Sequence, residues 1–514
     1  MTRRQLLQLS GATVGAAALI GARSAAAAGP VDFSQRSAYD AAYQDFYSSP
    51  GGVPEVNNEA GGLAWGKSYS LLSTLRMYEA YRDLTYLDHF VADADAVLAQ
   101  RDSVRGVTDY RGLSLPAWRA GDRYTSGIVR IPDADGRPTL EIRSALGSSG
   151  SSTAAVTHNS DGTFSVTVVN PVNNVTRAFT GLTMDPASSR YAVSQIYDAY
   201  DGTARITAAD LRPQPGAAGE PATGTYDFAG QYVIFAVHTG MISYPIAYFA
   251  RLALTDSRLR ARYGSSAKQY LADVEAAVAV HDREWYERVE NGKQLGSYVW
   301  VKGMALPFDG CEQPVNQSCG LGQAVSQLAL ATRDPRYIRK SILLSTWLAG
   351  QLVTDPTGSD IWSYWPSSSQ VYGGFGRTGS PATDISLFTP EYPNGNPGID
   401  DVSHGAIIVE CAAQLESGHL GSIRPLDLDR IATTYSRHLA QTGSDGLPTT
   451  ATRLDGSGTA TSGYYLQAPR WMPLASRNRE IFTQSLSIYN DRQPEISSGS
   501  LLLGVGYFNW YART

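Results

Sequence analysis

Along most of the chain, apolar residues recur at three- and four-residue steps, and one unit built on that period returns four times. The unit has a short polar entry, a glycine, a helix apolar on nearly every face, a turn near an Asp, and a second helix with one charged side. Its first helices read "AWGKSYSLLSTLRMYEAY", "VHTGMISYPIAYFARLALT", "CGLGQAVSQLALAT" and "SHGAIIVECAAQLES", headed by Gly66, Gly240, Gly322 and Gly405. A helix apolar all round predicts burial, and a partner charged on one side predicts an outer layer. Hairpins of this kind close into a ring, so the expected fold class is mainly α, an (α/α) toroid over residues 29–125 and 223–514. A straight solenoid is the rival, and the very unequal loop lengths favour closure. Segments 35–48 and 476–512 offer further helices, making five or six hairpins.

The pattern changes between residues 126 and 222. "TLEIRSALG", "TFSVTVVN", "TRAFTGLTM", "RYAVSQIYDAY" and "TARITAADL" are alternating or β-branched runs separated by turn residues. They predict a β-rich insertion of about 100 residues between the first and second hairpins. "PDADGRP" within it lacks the later acidic ligands of a calcium loop and reads as a turn.

Residues 1–28 read as a twin-arginine signal peptide: Arg3 and Arg4, a weakly apolar Ala/Gly stretch, then an "AAAA" run. Arg23 interrupts the stretch, which is too short and too poor in Leu and Ile to anchor the chain. Export implies a secreted protein without a membrane span. Removing this segment takes away three arginines and no acid, so the net charge of −6 becomes more negative still. An acidic surface argues against nucleic acid as partner. An anionic sugar polymer needs only a local gathering of positive charge. Thirty tyrosines and 9 tryptophans suit surfaces that stack on sugar rings, although core filling uses many of them. In an exported chain "CEQPVNQSC" reads as a disulfide loop joining Cys311 and Cys319, with Cys411 a buried free thiol. No histidine stands at ligand spacing from the cysteine pair, and neither a metal nor a cofactor is expected.

The candidate chemistry centres on "IDDVSHGAIIVE", residues 399–410. Asp401 has the position of a helix N-cap. Asp400 is then a second carboxylate with no structural reason to be there, and His404 heads the apolar stripe of the following helix. His238 lies two residues before Gly240, as His404 lies one before Gly405. If the ring holds, both look into one cleft from different inner helices. The long loop before the motif carries Trp362, Tyr364 and Trp365, a natural stacking platform, and a loop packed down by its own rings is the plainer alternative. Trp65 and Lys67 flank Gly66, with Glu59 upstream. Asp109, Arg111, Trp118, Arg119 and Arg123 share one loop; Tyr464, Tyr465, Arg470 and Trp471 share another. Tyr244 lies further along the His238 helix. No phosphate-binding loop, dinucleotide fingerprint, serine nucleophile elbow or HExxH motif is present.

"GLGQAVSQLALATRDPRYI" and "DDVSHGA" resemble the (α/α)-toroid polysaccharide lyases and the C-terminal domain of glucuronyl C5-epimerases. The resemblance covers the helical parts, about three quarters of the chain. It implies a cleft enzyme acting on uronic-acid sugars, with Tyr or His as proton-transfer groups. A clear copy of that group's Asn–His–Tyr–Arg set is absent from the sequence, so the reaction type stays open. The leading expectation is β-elimination on a uronate-containing polysaccharide. His404 or His238 would be the base, Tyr244 the acid, and Arg111, Arg119 and Lys67 would hold the carboxylate. An inverting glycoside hydrolase, pairing Asp400 with Glu59 or Asp109, is the close rival. A non-catalytic glycan-binding envelope protein is the third reading.

Overall fold

The computed structural model describes residues 30–53, 56–147, 149–214 and 217–513. The signal segment expected at 1–28 lies outside the described residues. Helices predominate, with smaller sheets beside them.

In three of the four sequence units the Asp that marks the turn caps the second helix; in the fourth, Arg424 holds the cap position. Asp83, Asp256 and Asp334 each accept a backbone N–H from the first turn of Leu84–Ala99 (α3), Ser257–Ala279 (α5) and Pro335–Ala349 (α7). The preceding helices are Ser68–Tyr81 (α2), Ala236–Thr255 (α4) and Val315–Thr332 (α6), all buried over most of their length. A fourth pair is Val402–Ser417 (α8) with Pro425–Thr434 (α9). Glu480–Arg492 (α10) and Gly499–Tyr511 (α11) end the chain, and Arg36–Tyr47 (α1) begins it.

Six inner segments form a closed circuit of contacts. α2 packs on α4, α4 on α6, α6 on α8, α8 on the 3-10 segment Ala468–Leu474, that segment on α11, and α11 back on α2. Each carries one outer helix: α3, α5, α7, α9, α10 and α1 respectively. Two of the contacts are backbone-close. A Cβ on Gly240 would stand 2.2 Å from the carbonyl oxygen of Gly320 across the α4–α6 seam, and one on Gly499 would stand 2.0 Å from that of Gly66. Only glycine permits such approaches.

Below the start of the inner helices sits a buried polar layer. Glu410 of α8 accepts hydrogen bonds from Arg76 of α2 (3.1 Å), Tyr507 of α11 (2.5 Å) and Tyr244 of α4. Arg76 also pairs with Glu79 at 2.8 Å. α6 joins through Gln327, which bonds Gln414 at 3.0 Å and accepts from Arg251 at 2.7 Å. Tyr244 is thus a structural donor to Glu410, which corrects its expected role as catalytic acid.

Between Arg119–Ala120 and Val233–Ile234, which pair antiparallel, the chain builds two antiparallel four-stranded sheets. Their strands are Gly127–Pro132 (β1), Pro138–Ser144 (β2), Thr153–His158 (β3), Phe164–Asn170 (β4), Val175–Leu182 (β5), Ile206–Asp210 (β6), Gly224–Asp227 (β7) and Ala229–Gly230 (β8). The orders are β6-β2-β1-β8 and β5-β4-β3-β7, with a hydrophobic core of their own apart from that of the helices. The last two strands lie past residue 222, the expected boundary. "RYAVSQIYDAY", expected as a strand, holds the short helix Ala192–Asp198, whose buried Ala192 and Ile196 share one face four residues apart.

The expected disulfide is corrected: Cys311, Cys319 and Cys411 are all free and buried. Cys319 lies within α6, where its thiol meets Cys411 of α8, so its side chain is committed to the helix seam. Burial, with Cys411 beside it, pushes the Cys319 thiol well above its usual pKa. Among the described residues no helix is long and apolar enough to cross a membrane.

Removing one partner from a buried ion cluster leaves the other charge uncompensated. Glu410→Ala is therefore expected to cost on the order of 3–5 kcal/mol, read as a lower denaturant midpoint. A midpoint within error of the parent would show that the layer does not hold the helices together.

Candidate active site

α4, α6, α8 and α11 all begin at the wall of one cavity of about 1160 Å³. Helix starts carry the positive end of the backbone dipole, so four of them converging favour a negatively charged occupant. A cavity of this size has room for several sugar rings.

The motif Asp400-Asp401-Val402-Ser403-His404 is fixed from both sides. Asp400 N–H bonds the Trp362 carbonyl at 3.0 Å, and Leu454 N–H bonds the Asp400 carbonyl at 3.1 Å. Ser363 bridges Ile399, and Asp401 bridges Arg453. The aromatic loop and the 452–454 segment thus grip the two carboxylates as a short three-stranded clasp. Asp401 caps α8, its Oδ1 accepting the N–H groups of Ser403 and His404, both at 2.9 Å. Its other oxygen, Oδ2, meets His404 Nδ1 at 2.7 Å. That bond orients the imidazole and leaves Nε2 for the cavity. Asp400 Oδ1 accepts the Asp401 N–H at 2.9 Å, and Oδ2 accepts the Trp362 indole at 3.0 Å.

The three groups perturb one another. Burial, reinforced by the adjacent Asp401 charge, pushes the Asp400 carboxyl up to about 7 against the pull of His404 and two N–H donors. Burial alone would also raise Asp401. The charge and hydrogen bond of His404, with the cap N–H groups, outweigh it and hold Asp401 below the usual carboxylate value. Burial alone would lower His404; Asp401 outweighs it and the imidazole is raised above 6.5.

His238, at the start of α4, lines the same cavity as His404, as do Trp65, Tyr364, Trp365 and Arg470. Tyr364 stands edge-on to the His404 ring with centroids 5.2 Å apart. Arg470 is 6% exposed, lies over the Tyr69 ring at 4.6 Å, and reaches the Ser403 hydroxyl at 3.3 Å. Among the described residues it has no carboxylate partner. Tyr464 is also on the wall; burial and the nearby Asp401 charge push its hydroxyl to about 12.

Other expected site residues are committed elsewhere. Lys67 is buried against Asp93 at 3.2 Å, Arg111 pairs with Asp109 at 2.6 Å, and Arg119 pairs with Glu59 at 2.7 Å. These pairings remove Lys67, Arg111 and Arg119 as carboxylate holders. They also remove Glu59 and Asp109 as partners for Asp400. Trp118, Trp362 and Trp471 are fully buried, so they are not stacking platforms. Their indole N–H groups go to the Val97 carbonyl, Asp400 and the Val402 carbonyl. Arg453, Tyr124 and Asn58 were not singled out in the sequence, yet the first two line the cavity and the third bonds His238. Arg453 reaches the site through a strand pairing with Asp401, which no local pattern announces.

The described residues contain one cluster with metal-ligand potential, Asp400, Asp401 and His404, whose candidate atoms lie within 4.8 Å of one another. Both oxygens of each Asp already accept hydrogen bonds. The donor set is therefore used internally and fits a cation poorly.

No family model matches the chain, and no curated protein matches it. Among solved structures, the crystal structure of a family 76 glycoside hydrolase from a bovine Bacteroides thetaiotaomicron strain is similar at a TM-score of 0.31. The identity is 9%, over 75% of this chain and 86% of that chain. A likeness at that level assigns neither fold nor activity to this chain.

The raised His404 contributes stability that is full below about pH 6.5, its unfolded value, and is lost as pH rises through the raised pKa. The lowered Asp401 contributes above its unfolded value of about 3.9 and is lost as pH falls through the lowered pKa. The pair thus contributes most between these limits. Asp401→Asn keeps a capping oxygen and removes the charge. By NMR, the His404 imidazole should titrate above pH 6.5 in the parent and lower in Asp401→Asn. An unchanged titration would show that Asp401 does not set it.

Proposed function

We propose that this chain is a carbohydrate-active enzyme that removes the C5 proton of a uronate in a polysaccharide and cleaves the chain by β-elimination. The closed circuit of inner helices supports reading the fold as an (α/α) toroid. We further propose that the β-rich segment is an insertion in it and that residues 1–28 direct twin-arginine export.

One observation carries the reading. Arg470, buried and without a carboxylate partner among the described residues, stands beside His404, whose imidazole is oriented by Asp401. A proton next to a carboxylate becomes acidic enough to remove when the carboxylate charge is neutralised, and a base tuned near neutral pH removes it best. Arg470 supplies the first condition and His404 the second. His238 suits the base role poorly, because burial, with the Arg123 charge adding, pushes it down to about 3.

In this scheme the substrate carboxylate sits on Arg470 and His404 Nε2 takes the C5 proton. The electrons of the C5–H bond form the C4–C5 double bond as the C4–O bond breaks. The leaving oxygen takes the hydroxyl proton of Tyr464, which then recovers a proton from His404.

A hydrolase reading has one observation in its favour. Asp400 and Asp401 are driven apart in pKa, and such splitting separates an acid from a base. Against it, both Asp401 oxygens already hold His404 and the helix start.

Incubation with a panel of uronate polysaccharides should release oligosaccharides ending in a conjugated, ultraviolet-absorbing unsaturated uronate. His404→Ala should abolish the signal, and Arg470→Ala should reduce turnover by about 10²–10³-fold. Reducing ends without that absorbance, lost in Asp400→Asn, would put hydrolysis in its place.

A further inference from the structure

On a second part of the cavity wall stands a group that the reaction at His404 does not use. His238 is 1% exposed, and its Nδ1 lies 3.1 Å from Asn58 Nδ2. Asn58 cannot turn its amide round, because its Oδ1 accepts the Ala64 backbone N–H at 3.1 Å. Nδ2 therefore donates to His238 Nδ1, and the ring hydrogen must reside on Nε2. Burial and the nearby Arg123 charge hold the ring pKa near 3, so it stays neutral at working pH.

Around this imidazole, Trp65 and Tyr124 stand edge-on at 5.1 and 5.0 Å between centroids. Both line the cavity, as does Arg123. Arg123 Nη2 bonds the Ala60 carbonyl at 3.1 Å and the Tyr124 hydroxyl at 3.2 Å. Among the described residues Arg123 has no carboxylate partner. This wall thus offers an unpaired cation, a neutral N–H donor with a fixed tautomer, and two aromatic side chains.

We propose that Arg123 and His238 form a second subsite, which binds the carboxylate of a uronate neighbouring the one processed at His404, with Asn58 as a positioning residue. The proposal rests on the uronate reading above and narrows it: the substrate carries carboxylates on more than one sugar within the cavity. Arg123 supplies the charge, and His238 supplies a hydrogen bond that adds no second positive charge. A guanidinium and a neutral donor together match the two oxygens of a carboxylate. Trp65 and Tyr124 provide apolar surface for the ring that bears it.

The test uses His404→Ala, so that nothing is turned over. Its probes are tetrasaccharides of glucuronate, mannuronate and galacturonate, each beside its carboxyl-reduced, neutral counterpart. The acidic tetrasaccharide that binds should do so about tenfold more weakly when Arg123→Ala is added, a loss of about 1.4 kcal/mol. Its reduced counterpart should change by less than about twofold. Nitrogen NMR of His238 in the unsubstituted protein should show the Nε2–H tautomer, and in Asn58→Ala a mixture of tautomers. If acidic tetrasaccharides bind and Arg123→Ala leaves Kd unchanged, the subsite is wrong while the uronate reading stands. If no acidic tetrasaccharide binds, both are wrong. An Nδ1–H or charged His238 ring overturns the donor role whatever the binding data.

Discussion

A single buried carboxylate ties the inner helices together. Glu410 takes one hydrogen bond from each of α2, α4 and α11 while belonging to α8, and Gln327 and Gln414 extend the layer to α6. Satisfying such a group requires its partners to arrive from different helices at one height, which fixes how the helices are rotated and staggered. Glu410 lies six residues after His404, and Tyr244 six after His238. At 1.5 Å per residue the layer lies about 9 Å below both histidines. The space above it, ringed by helix starts, is where the cavity opens. The polar layer closes the bundle beneath, and the candidate site sits on top of it.

The pairing of charges separates scaffold from site. Arg76, Arg111, Arg119 and Lys67 all end on carboxylates. The arginines on the cavity wall, Arg123, Arg453 and Arg470, have no carboxylate partner among the described residues. Of the three only Arg470 is buried, Arg453 being half-buried and Arg123 exposed; a buried guanidinium without a counter-charge is costly, and an anionic ligand at Arg470 relieves that cost. The same contrast holds for the histidines. Asp401 raises the pKa of His404, whereas His238 meets a neutral amide and stays an N–H donor.

Periodicity made the helices legible, because an all-apolar helix has few places to go but inward, and at three of the four turns an Asp announced the next helix start. It misled at Ala192–Asp198, where alternating small and apolar residues fit either period. The Asp400–His404 motif could be singled out because a second carboxylate beside an N-cap has no local purpose. The binding residues were harder to read. Trp118, Trp362 and Trp471 have the composition of a stacking surface, and only their burial shows them to be core. Tyr244 looks like a proton donor until Glu410, 166 positions later, is found to accept its hydrogen bond. The cysteines were paired by spacing, whereas the packing of α6 on α8 sets Cys319 against Cys411. Each of these errors concerns a contact distant in sequence, which local pattern does not encode.

If His404, beside Arg470, removes a proton from carbon, the C5–H bond breaks in turnover and water contributes no oxygen to the products. A uronate oligosaccharide deuterated at C5, turned over in water enriched in oxygen-18, tests it most directly. Turnover should be slower than for the protiated substrate, with no oxygen-18 in the new chain end. Equal rates, with oxygen-18 at the anomeric carbon, would contradict it.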